Sequence, residues 1–278
     1  MALINHLDLL HAMAGLLVGL LVGLTGVGGG ALMTPLLVLV FGVSPQTAVG
    51  TDLLYAAITK IAGSVVHGTR ETVQWSIVRR LAYGSIPAAI VTLAVLAQAG
   101  RPTPATQHLI LIILAGLLAL TSLTVLFRGW LVRFAAELDP LDPPFKAVIG
   151  TIALGAVIGL AVSISSVGAG AIGVTALLLL YPRLPIVRIV GSDIAHAVPL
   201  ALIAGIGHWI IGDVDGVLLT NLLIGSLPGV IVGSLLSARA SDRVLRPLLA
   251  LVLAISSWQL FVKANTAEHT LAADHHKP

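Results

Sequence analysis

The sequence contains no cysteine among its 278 residues, and only 10% of them are charged. The missing thiols exclude disulfide bonds, haem–thiolate ligation and cysteine-bound zinc, although they do not identify the compartment. The low charge content is equally informative, because a soluble domain carries about 25% charged residues. No hydrophilic stretch is long enough to fold as a separate soluble domain. These absences exclude a conventional soluble protein.

Apolar residues take the place of the missing charge. They make up 57% of the chain, whose mean hydropathy is +1.04. Runs long enough to cross a hydrocarbon core of about 30 Å recur from end to end. These runs cover residues 9–41, 46–67, 76–99, 106–127, 147–181, 185–211, 215–237 and 243–263. The pattern predicts an all-α polytopic membrane protein, whose first run is a retained helix because no Lys/Arg-rich signal start precedes it.

Four short motifs occur twice, in the same order. The separation is 140 residues for the first motif and 141 for the other three. The pairs are Thr25-Gly-Val-Gly-Gly-Gly-Ala31 with Ser165-Ser-Val-Gly-Ala-Gly-Ala171, Gly50-Thr-Asp52 with Gly191-Ser-Asp193, His67 with His208, and Gly84-Ser-Ile-Pro87 with Gly225-Ser-Leu-Pro228. This internal repeat predicts two related halves.

The number of membrane crossings follows from where the basic residues lie. The runs 9–41 and 147–181 are longer than one crossing needs, and each has a glycine-rich break, so each is either a long tilted helix or two shorter helices folded back. If each run crosses once, the two sides carry eight and six Lys/Arg. If each folds back at its break, one side carries eleven and the other only three, which are Arg101, Lys263 and Lys277. The eleven are Arg70, Arg79, Arg80, Arg128, Arg133, Lys146, Arg183, Arg188, Arg239, Arg243 and Arg246.

The second count satisfies the positive-inside rule. We therefore predict two inverted repeats of about five helical elements, with the arginine-rich loops cytoplasmic and both termini outside. The first repeat covers residues 1–127, a cytoplasmic linker 128–146, and the second repeat 147–264. Residues 265–278 form a polar tail that we expect to be disordered. A solvated tail is favoured over a metal site at His275-His276.

The glycine-rich breaks are candidates for an anion site. Gly26-Val-Gly-Gly-Gly-Ala31 fits a dinucleotide fingerprint, but no strand or soluble α/β unit surrounds it. Close helix packing is the competing explanation for the glycines. A helix that restarts inside the membrane aims free N–H groups and a positive dipole end at its middle. The predicted substrate-binding residues at the breaks are Thr25, Gly28, Gly29, Gly30, Ser165, Ser166, Gly168 and Gly170.

Ionisable side chains inside predicted helices form a second group, because such residues are costly in a membrane and usually functional. Lys60 has no counterpart, since position 201 is Ala. We interpret it as a substrate-binding cation, with a structural ion pair as the alternative. The remaining polar candidates have coupling or structural roles, including proton relay by histidine. They are Thr51, Asp52, His67, Ser192, Asp193, His196 and His208.

No catalytic or metal-binding motif stands out. The chain has no H-E-x-x-H, Walker or EF-hand pattern and no evident nucleophile–base pair. We therefore expect no enzyme activity, no cofactor, no metal and no nucleic-acid partner. The expected partners are a small anion, the lipid bilayer, a coupled proton and a second copy in a homodimer.

The duplicated motifs resemble those of the TauE/SafE sulfite exporter family, also called the toluenesulfonate uptake permeases. The resemblance covers residues 10–262 and rests on Gly19-Leu-Leu-Val-Gly-Leu-Thr-Gly26, Gly28-Gly-Gly30, Gly50-Thr-Asp52 and Gly84-Ser-Ile-Pro87. It implies a transporter in the cytoplasmic membrane, most often an exporter, for sulfite, sulfoacetate or other organosulfonates. The second half departs from the pattern at Ser166, Ala169 and Ser192, so the site is not strictly two-fold symmetric.

Three alternatives to an alternating-access anion carrier remain open. A passive anion channel would have the same apolar helices and the same cation. An accessory subunit of a larger complex would move no anion alone. An intramembrane enzyme would require a catalytic set that the sequence does not reveal.

Overall fold

The structure is a computed structural model that describes residues 8–25, 30–67, 73–100, 103–138, 145–168, 170–236 and 242–274. All regular structure within these ranges is helical. The helices are α1 (Leu9–Thr25), α2 (Gly30–Leu39), α3 (Pro45–His67), α4 (Trp75–Ala99), α5 (Pro104–Leu126), α6 (Arg128–Ala136), α7 (Phe145–Ser165), α8 (Ala171–Leu180), α9 (Ile186–Ile211), α10 (Gly216–Leu236) and α11 (Asp242–Asp274).

Six of the described helices are long and apolar enough to cross a membrane. They are α4, α5, α7, α9, α10 and residues Val244–Thr266 of α11. The outward faces are apolar, as at Val91, Val95 and Ile210, whereas Asp52, Asp193 and His196 are buried. This exposure of apolar side chains and burial of polar ones suits a lipid environment. The all-α, multi-pass prediction is confirmed.

Each long apolar run is split at its glycine-rich break, as α1 with α2 and as α7 with α8. The second member of each pair has ten residues, which gives a length of about 15 Å, half the hydrocarbon core. Both short helices turn back along the helix that follows them. Thr34 of α2 contacts Asp52 of α3, and Gly173 of α8 packs against Asp193 of α9. The short helices therefore begin beside the middle of their neighbours.

The two halves are interlocked through close backbone contacts between α1 and α10 and between α7 and α4. Along α1, Gly15 faces Leu222 and Gly19 faces Ser226 of α10. A Cβ atom at either glycine would overlap the facing backbone carbonyl. Only glycine allows the two helix backbones to approach this closely, as in other small-residue membrane interfaces.

The second interface repeats the first with residues from the other half. Gly155 of α7 faces Leu81 of α4, and Gly159 faces Ser85. The positions 155, 159, 81 and 85 are the repeat equivalents of 15, 19, 222 and 226. The first helix of each half therefore packs against the fourth helix of the other half.

Numbering along each contact gives the relative direction of the helices. In both glycine interfaces the residue numbers of the contacting positions increase in the same direction on the two helices. Helix α1 therefore runs parallel to α10, and α7 runs parallel to α4. The equivalent helices α3 and α9 run antiparallel, since Gly50 packs near His208 whereas Gly205 packs against Leu54. Helices α5 and α11 are also antiparallel: Ser122 Oγ donates to the Ala250 carbonyl at 2.7 Å, and Ser257 Oγ to that of Ala115 at 2.8 Å.

Two further helical segments lie in the linker and in the tail. The linker contains the short helix α6, and α11 continues to Asp274 through most of the tail that we expected to be disordered. Residues 265–274 include Ala, Glu and Leu, which are strong helix formers, so the helix extends once α11 provides its preceding turns. His275 and His276 lie outside the described residues.

The glycine interfaces lead to a stability prediction. Gly225→Ala and Gly84→Ala place a methyl group against the carbonyls of Ala12 and Ile152, respectively. We expect each to lower the free energy of unfolding by about 1–3 kcal/mol, the usual effect of overpacking. Thermal unfolding of the detergent-purified protein measures this.

Gly116→Ala is the matched control, because a Cβ at Gly116 of α5 meets nothing within 4 Å. It should unfold at or above the temperature of the unmodified protein. If Gly225→Ala behaved like the control, the close approach of α1 and α10 would be wrong.

Candidate functional site

The break between α7 and α8 is formed by backbone angles that favour glycine. Ser166, Gly168 and Gly170 have φ of 59°, 129° and 111°. Ser166 occupies the position equivalent to Gly26, and few residues other than glycine adopt a positive φ without strain. The first break, including Gly28 and Gly29, lies outside the described residues; Gly30 begins α2.

The hydroxyl groups at the two breaks have different surroundings. Ser165 Oγ donates to the Ala161 carbonyl at 2.7 Å and accepts from Val167 N at 3.1 Å, so it satisfies the broken backbone. Thr25, the last residue of α1, donates to the Leu21 carbonyl at 2.7 Å. Ser166 Oγ is buried without a hydrogen-bond partner in the described part of the chain. Of these hydroxyl groups, that of Ser166 has the fewest competing bonds.

A cavity lies where the two short helices begin. Its empty volume is about 460 Å³, including its opening to the outside. Ser166 and Gly168 of the second break line it, together with Lys60 of α3. The remaining lining residues are Ala31, Leu53, Ala56, Thr121, Val162, Val167, Ala171, Ile172, Ala197 and Ala201.

Repeat-equivalent residues line this cavity together. Three pairs line it together: Ala31 with Ala171, Ala56 with Ala197, and Lys60 with Ala201. The first two pairs are identical, whereas the third places an amine on one side and a methyl group on the other. The cavity thus lies between the repeats and carries one cation among its lining residues.

Lys60 makes no hydrogen bond or ion pair with any described residue. The carboxylates of Asp52 and Asp193 attract it electrostatically from outside contact distance. An amine in an apolar cavity gains most from an oppositely charged partner.

Asp52 and Asp193 hold the two short helices. Asp52 is fully buried, accepts a hydrogen bond from the Thr34 hydroxyl of α2 and lies next to Ser166. Asp193 lies next to the backbone N–H of Gly170, at the start of α8. Each carboxylate leaves its Oδ1 atom without a hydrogen bond among the described residues. The equivalent aspartates therefore contact equivalent half-helices.

Thr51 and Ser192 make matching bonds at opposite ends of the bundle. Thr51 Oγ1 accepts from Asp215 N at 3.1 Å, just before α10. Ser192 Oγ accepts from Gln74 N at 2.8 Å, just before α4. Residues 74 and 215 are repeat equivalents, as are 51 and 192. Each bond fastens the start of a fourth helix to the third helix of the other half.

The repeated Gly-Ser-x-Pro motif contributes a serine that was not among the predicted site residues. Ser85 Oγ lies 2.7 Å from Nε2 of buried His196, and the equivalent Ser226 lies next to Tyr55, which replaces His196 in the first half. The recurrence of the Gly-Ser-x-Pro motif in both halves is the sequence signal that could have identified Ser85. Thr121 was also missed: it has no repeat equivalent of its type, and its hydroxyl bonds to the Leu117 carbonyl within α5.

His208 lies at the end of α9, away from the lining of the cavity. Its ring bonds to Asp213 and to the Ser163 carbonyl at 3.2 and 2.8 Å. His67 is the last residue of α3, and its side chain lies outside the described part of the chain. The structure thus brings Lys60, Ser166 and Gly168 together, with Asp52 and Asp193 behind them.

The fold defines a polytopic helical membrane protein with a cavity between its two halves. A model of the family described as "Sulfite exporter TauE/SafE" matches residues 11–260. The chain belongs to this family.

Curated relatives agree with this assignment. The chain is 40% identical to the "Probable membrane transporter protein YjnA" of Bacillus subtilis (strain 168) over 250 residues, which cover 88% of this chain and 96% of the relative. It is 30% identical over 220 residues to the "Probable membrane transporter protein YdhB" of the same strain, covering 78% and 85%. No solved structure matches significantly. The protein is a multi-pass membrane transporter.

The contact between Ser85 and His196 leads to a second stability prediction. Ser85→Ala removes the partner of Nε2 in a histidine whose Nδ1 already lacks one among the described residues. We expect a loss of about 1–3 kcal/mol, the cost of an unsatisfied buried polar group. Chemical or thermal unfolding in detergent measures it.

Thr220→Ala is the control, because Thr220 is exposed and bonds to the Gly216 carbonyl of its own helix. It should change stability little. Equal stability of Ser85→Ala and Thr220→Ala would contradict a structural role for the serine of the motif.

Proposed function

We propose that the protein is a secondary transporter that exports sulfite, sulfoacetate or other organosulfonates by alternating access around the central cavity. The observation that carries this proposal is Lys60, a partly buried lysine without an ion pair among the described residues, which lines the cavity together with the start of α8. The family description supports sulfite as a member of the substrate class.

The chemistry of the cavity favours an oxyanion. Lys60 supplies a positive charge, Ser166 a hydroxyl donor, and the first turn of α8 a positive dipole end. The apolar lining reduces competition from water, which strengthens each of these interactions. A sulfonate group offers three acceptor oxygens and one negative charge, and it fits among such donors.

The Asp and Ser residues at the breaks then have supporting roles. Asp52 and Asp193 fix the short helices, and Ser165 completes the backbone of the second break. Thr25, Gly30 and Gly170 remain predicted binding residues, as do Gly28 and Gly29, which lie outside the described residues.

We further propose that the halves are inverted repeats. Equivalent helices that lie side by side support this proposal, because α3 with α9 and α5 with α11 run antiparallel. A two-fold axis perpendicular to the helices relates antiparallel neighbours, whereas an axis along them would relate parallel ones. The fold-back of α2 and α8 supports the inversion too. Each short helix reverses the direction of the chain before the third helix, so that each half has five elements. The arginine-rich ends then face the cytoplasm.

The inverted arrangement also suits a carrier. The matching bonds of Thr51 and Ser192 lie at opposite ends, so one end can open while the other stays closed. Inverted repeats in other transporters work by such alternation around a fixed midplane site. A channel remains the rival, because it would use the same cation without alternation.

Moving the lysine across the cavity tests the site. Lys60→Ala should weaken sulfite or sulfonate binding about 10–100-fold, the loss expected for one charge-assisted hydrogen bond. The double variant Lys60→Ala/Ala201→Lys restores an amine from the equivalent wall and should recover part of the affinity. Calorimetric titration of the purified protein with each anion measures both.

Lys146→Ala is the control, since this lysine is exposed at the start of α7. It should bind like the unmodified protein. Unchanged affinity in Lys60→Ala would remove the lysine from the site. Single-channel currents in planar bilayers would show that the protein is a channel rather than a carrier.

Paired cysteines test the inversion, and the cysteine-free sequence makes the background clean. Ala105→Cys and Val244→Cys are exposed positions near the starts of the equivalent helices α5 and α11. Inverted repeats place them on opposite sides, so an impermeant maleimide applied to intact cells should label only Ala105→Cys. Labelling of both, or of neither, before the membrane is opened would contradict the inversion.

A further inference from the structure

The end of α9 folds back on itself and brings an acid to His208. Gly212 ends the helix in a left-handed conformation with φ of 96°, and Asp213 N bonds to the His208 carbonyl at 2.9 Å. This turn places Asp213 Oδ2 3.2 Å from His208 Nδ1. Asp215, two residues further along the chain, has a different role, because its Oδ1 accepts from Val217 N and Leu218 N and caps α10.

The other ring nitrogen of His208 faces the end of α7. Nε2 lies 2.8 Å from the backbone carbonyl of Ser163. That carbonyl precedes the break, where the N–H of Val167, its partner in a continuous helix, bonds instead to Ser165 Oγ. His208 therefore supplies a donor that the broken helix lacks.

The two contacts together fix the number of protons. A carbonyl only accepts, so Nε2 carries a hydrogen. An ionised carboxylate also only accepts, so Nδ1 carries a second one. A neutral imidazole has just one hydrogen and would point a lone pair at one of the two acceptors. Both contacts are hydrogen bonds only if the pair holds one proton more than a neutral histidine beside an ionised aspartate.

Few other charges face this group. On α3, which packs against the end of α9, the ionisable residue nearest in register is Asp52. The loop before α10 adds Asp215. The charged residues of α4 and α7 are Arg79, Arg80 and Lys146, which lie at the far ends of those helices. No described lysine or arginine forms an ion pair with Asp213.

The two members of the pair differ in exposure. The His208 side chain is 3% exposed and that of Asp213 is 19% exposed, at the arginine-poor end of the bundle. A proton can enter through Asp213 from that end, whereas the ring itself is enclosed. In the orientation proposed above, this end faces the exterior.

We propose that His208 and Asp213 form a proton-binding site that controls the second break from the arginine-poor face. With the proton bound, the imidazolium holds the Ser163 carbonyl and Asp213 together, and the break keeps the geometry described here. Release of the proton to water on that face leaves one ring nitrogen of His208 unprotonated. The lone pair of that nitrogen then faces either the Ser163 carbonyl or Asp213. The break then loosens, two to five residues from Ser163, at Ser165, Ser166 and Gly168. The inference rests on the proposed function only where it links this proton to anion binding.

The charge of the ring is measured directly by 15N NMR on histidine-labelled protein, with His208→Gln used to assign the resonance. Both ring nitrogens of His208 should be protonated at pH 7. In Asp213→Asn the amide oxygen or nitrogen can face Nδ1, so a neutral ring with a hydrogen on Nε2 satisfies every partner. A neutral His208 ring in the unmodified protein overturns the proposal.

Hydrogen–deuterium exchange tests the effect on the break without any anion. At pH 9 the segment 163–168 should exchange severalfold faster in the unmodified protein than in Asp213→Asn, while at pH 6 the two should match. Asp215→Asn is the control, because Asp215 does not contact His208, and it should follow the unmodified protein at both pH values. Equal exchange in Asp213→Asn and the unmodified protein at pH 9 overturns control of the break.

Anion titration then tests the link to transport. Affinity for sulfonate should fall between pH 6 and pH 9 in the unmodified protein and in Asp215→Asn, and stay constant in Asp213→Asn. The same fall in Asp213→Asn overturns the link. If none of the proteins bound an anion at any pH, the proposed function would fail, while the NMR and exchange results would still decide the proton site.

Discussion

Glycine allows the backbones of α1 and α10 to touch, and the same contact between α7 and α4 completes the architecture. In a membrane, helices gain nothing from leaving water, so they associate through close van der Waals contact. A methyl group at Gly15, Gly19, Gly84 or Gly155 would occupy the position of a facing carbonyl. Because both interfaces join opposite halves, neither half has its first helix packed without the other. The central helices α3 and α9 are thereby held side by side, and the broken segments meet between them.

The position of the cavity follows from this exchange. Helices α2 and α8 turn back from their breaks, so their first residues reach the middle of the protein rather than its surface. Two equivalent walls then enclose one space, and a difference between equivalent residues becomes a difference within a single site. Lys60 and Ala201 are such a pair. A duplicated fold can in this way keep symmetric packing while the cavity between its halves is asymmetric.

The features that could be predicted from the sequence are those that depend on the residue itself. The breaks were predicted because glycine weakens helices, and Lys60 because a lysine is costly in a membrane. The repeat identified equivalent residues but not contacting ones. Ser85 meets His196, 111 residues away, and nothing in the local pattern names that partner. The polarity of the tail predicts disorder, whereas its Ala, Glu and Leu residues extend a helix readily.

The interlocking of the halves also constrains how the chain is made. Gly15 and its partner Leu222 are 207 residues apart, and translation proceeds at about 5–20 residues per second. The first helix therefore waits about 10–40 s in the membrane before the helix against which it packs has been synthesised. During that interval its glycine face lies against lipid or against the insertion machinery. A nascent chain that stops after the linker lacks both glycine interfaces, so the first half is a substrate for quality control rather than a folded intermediate.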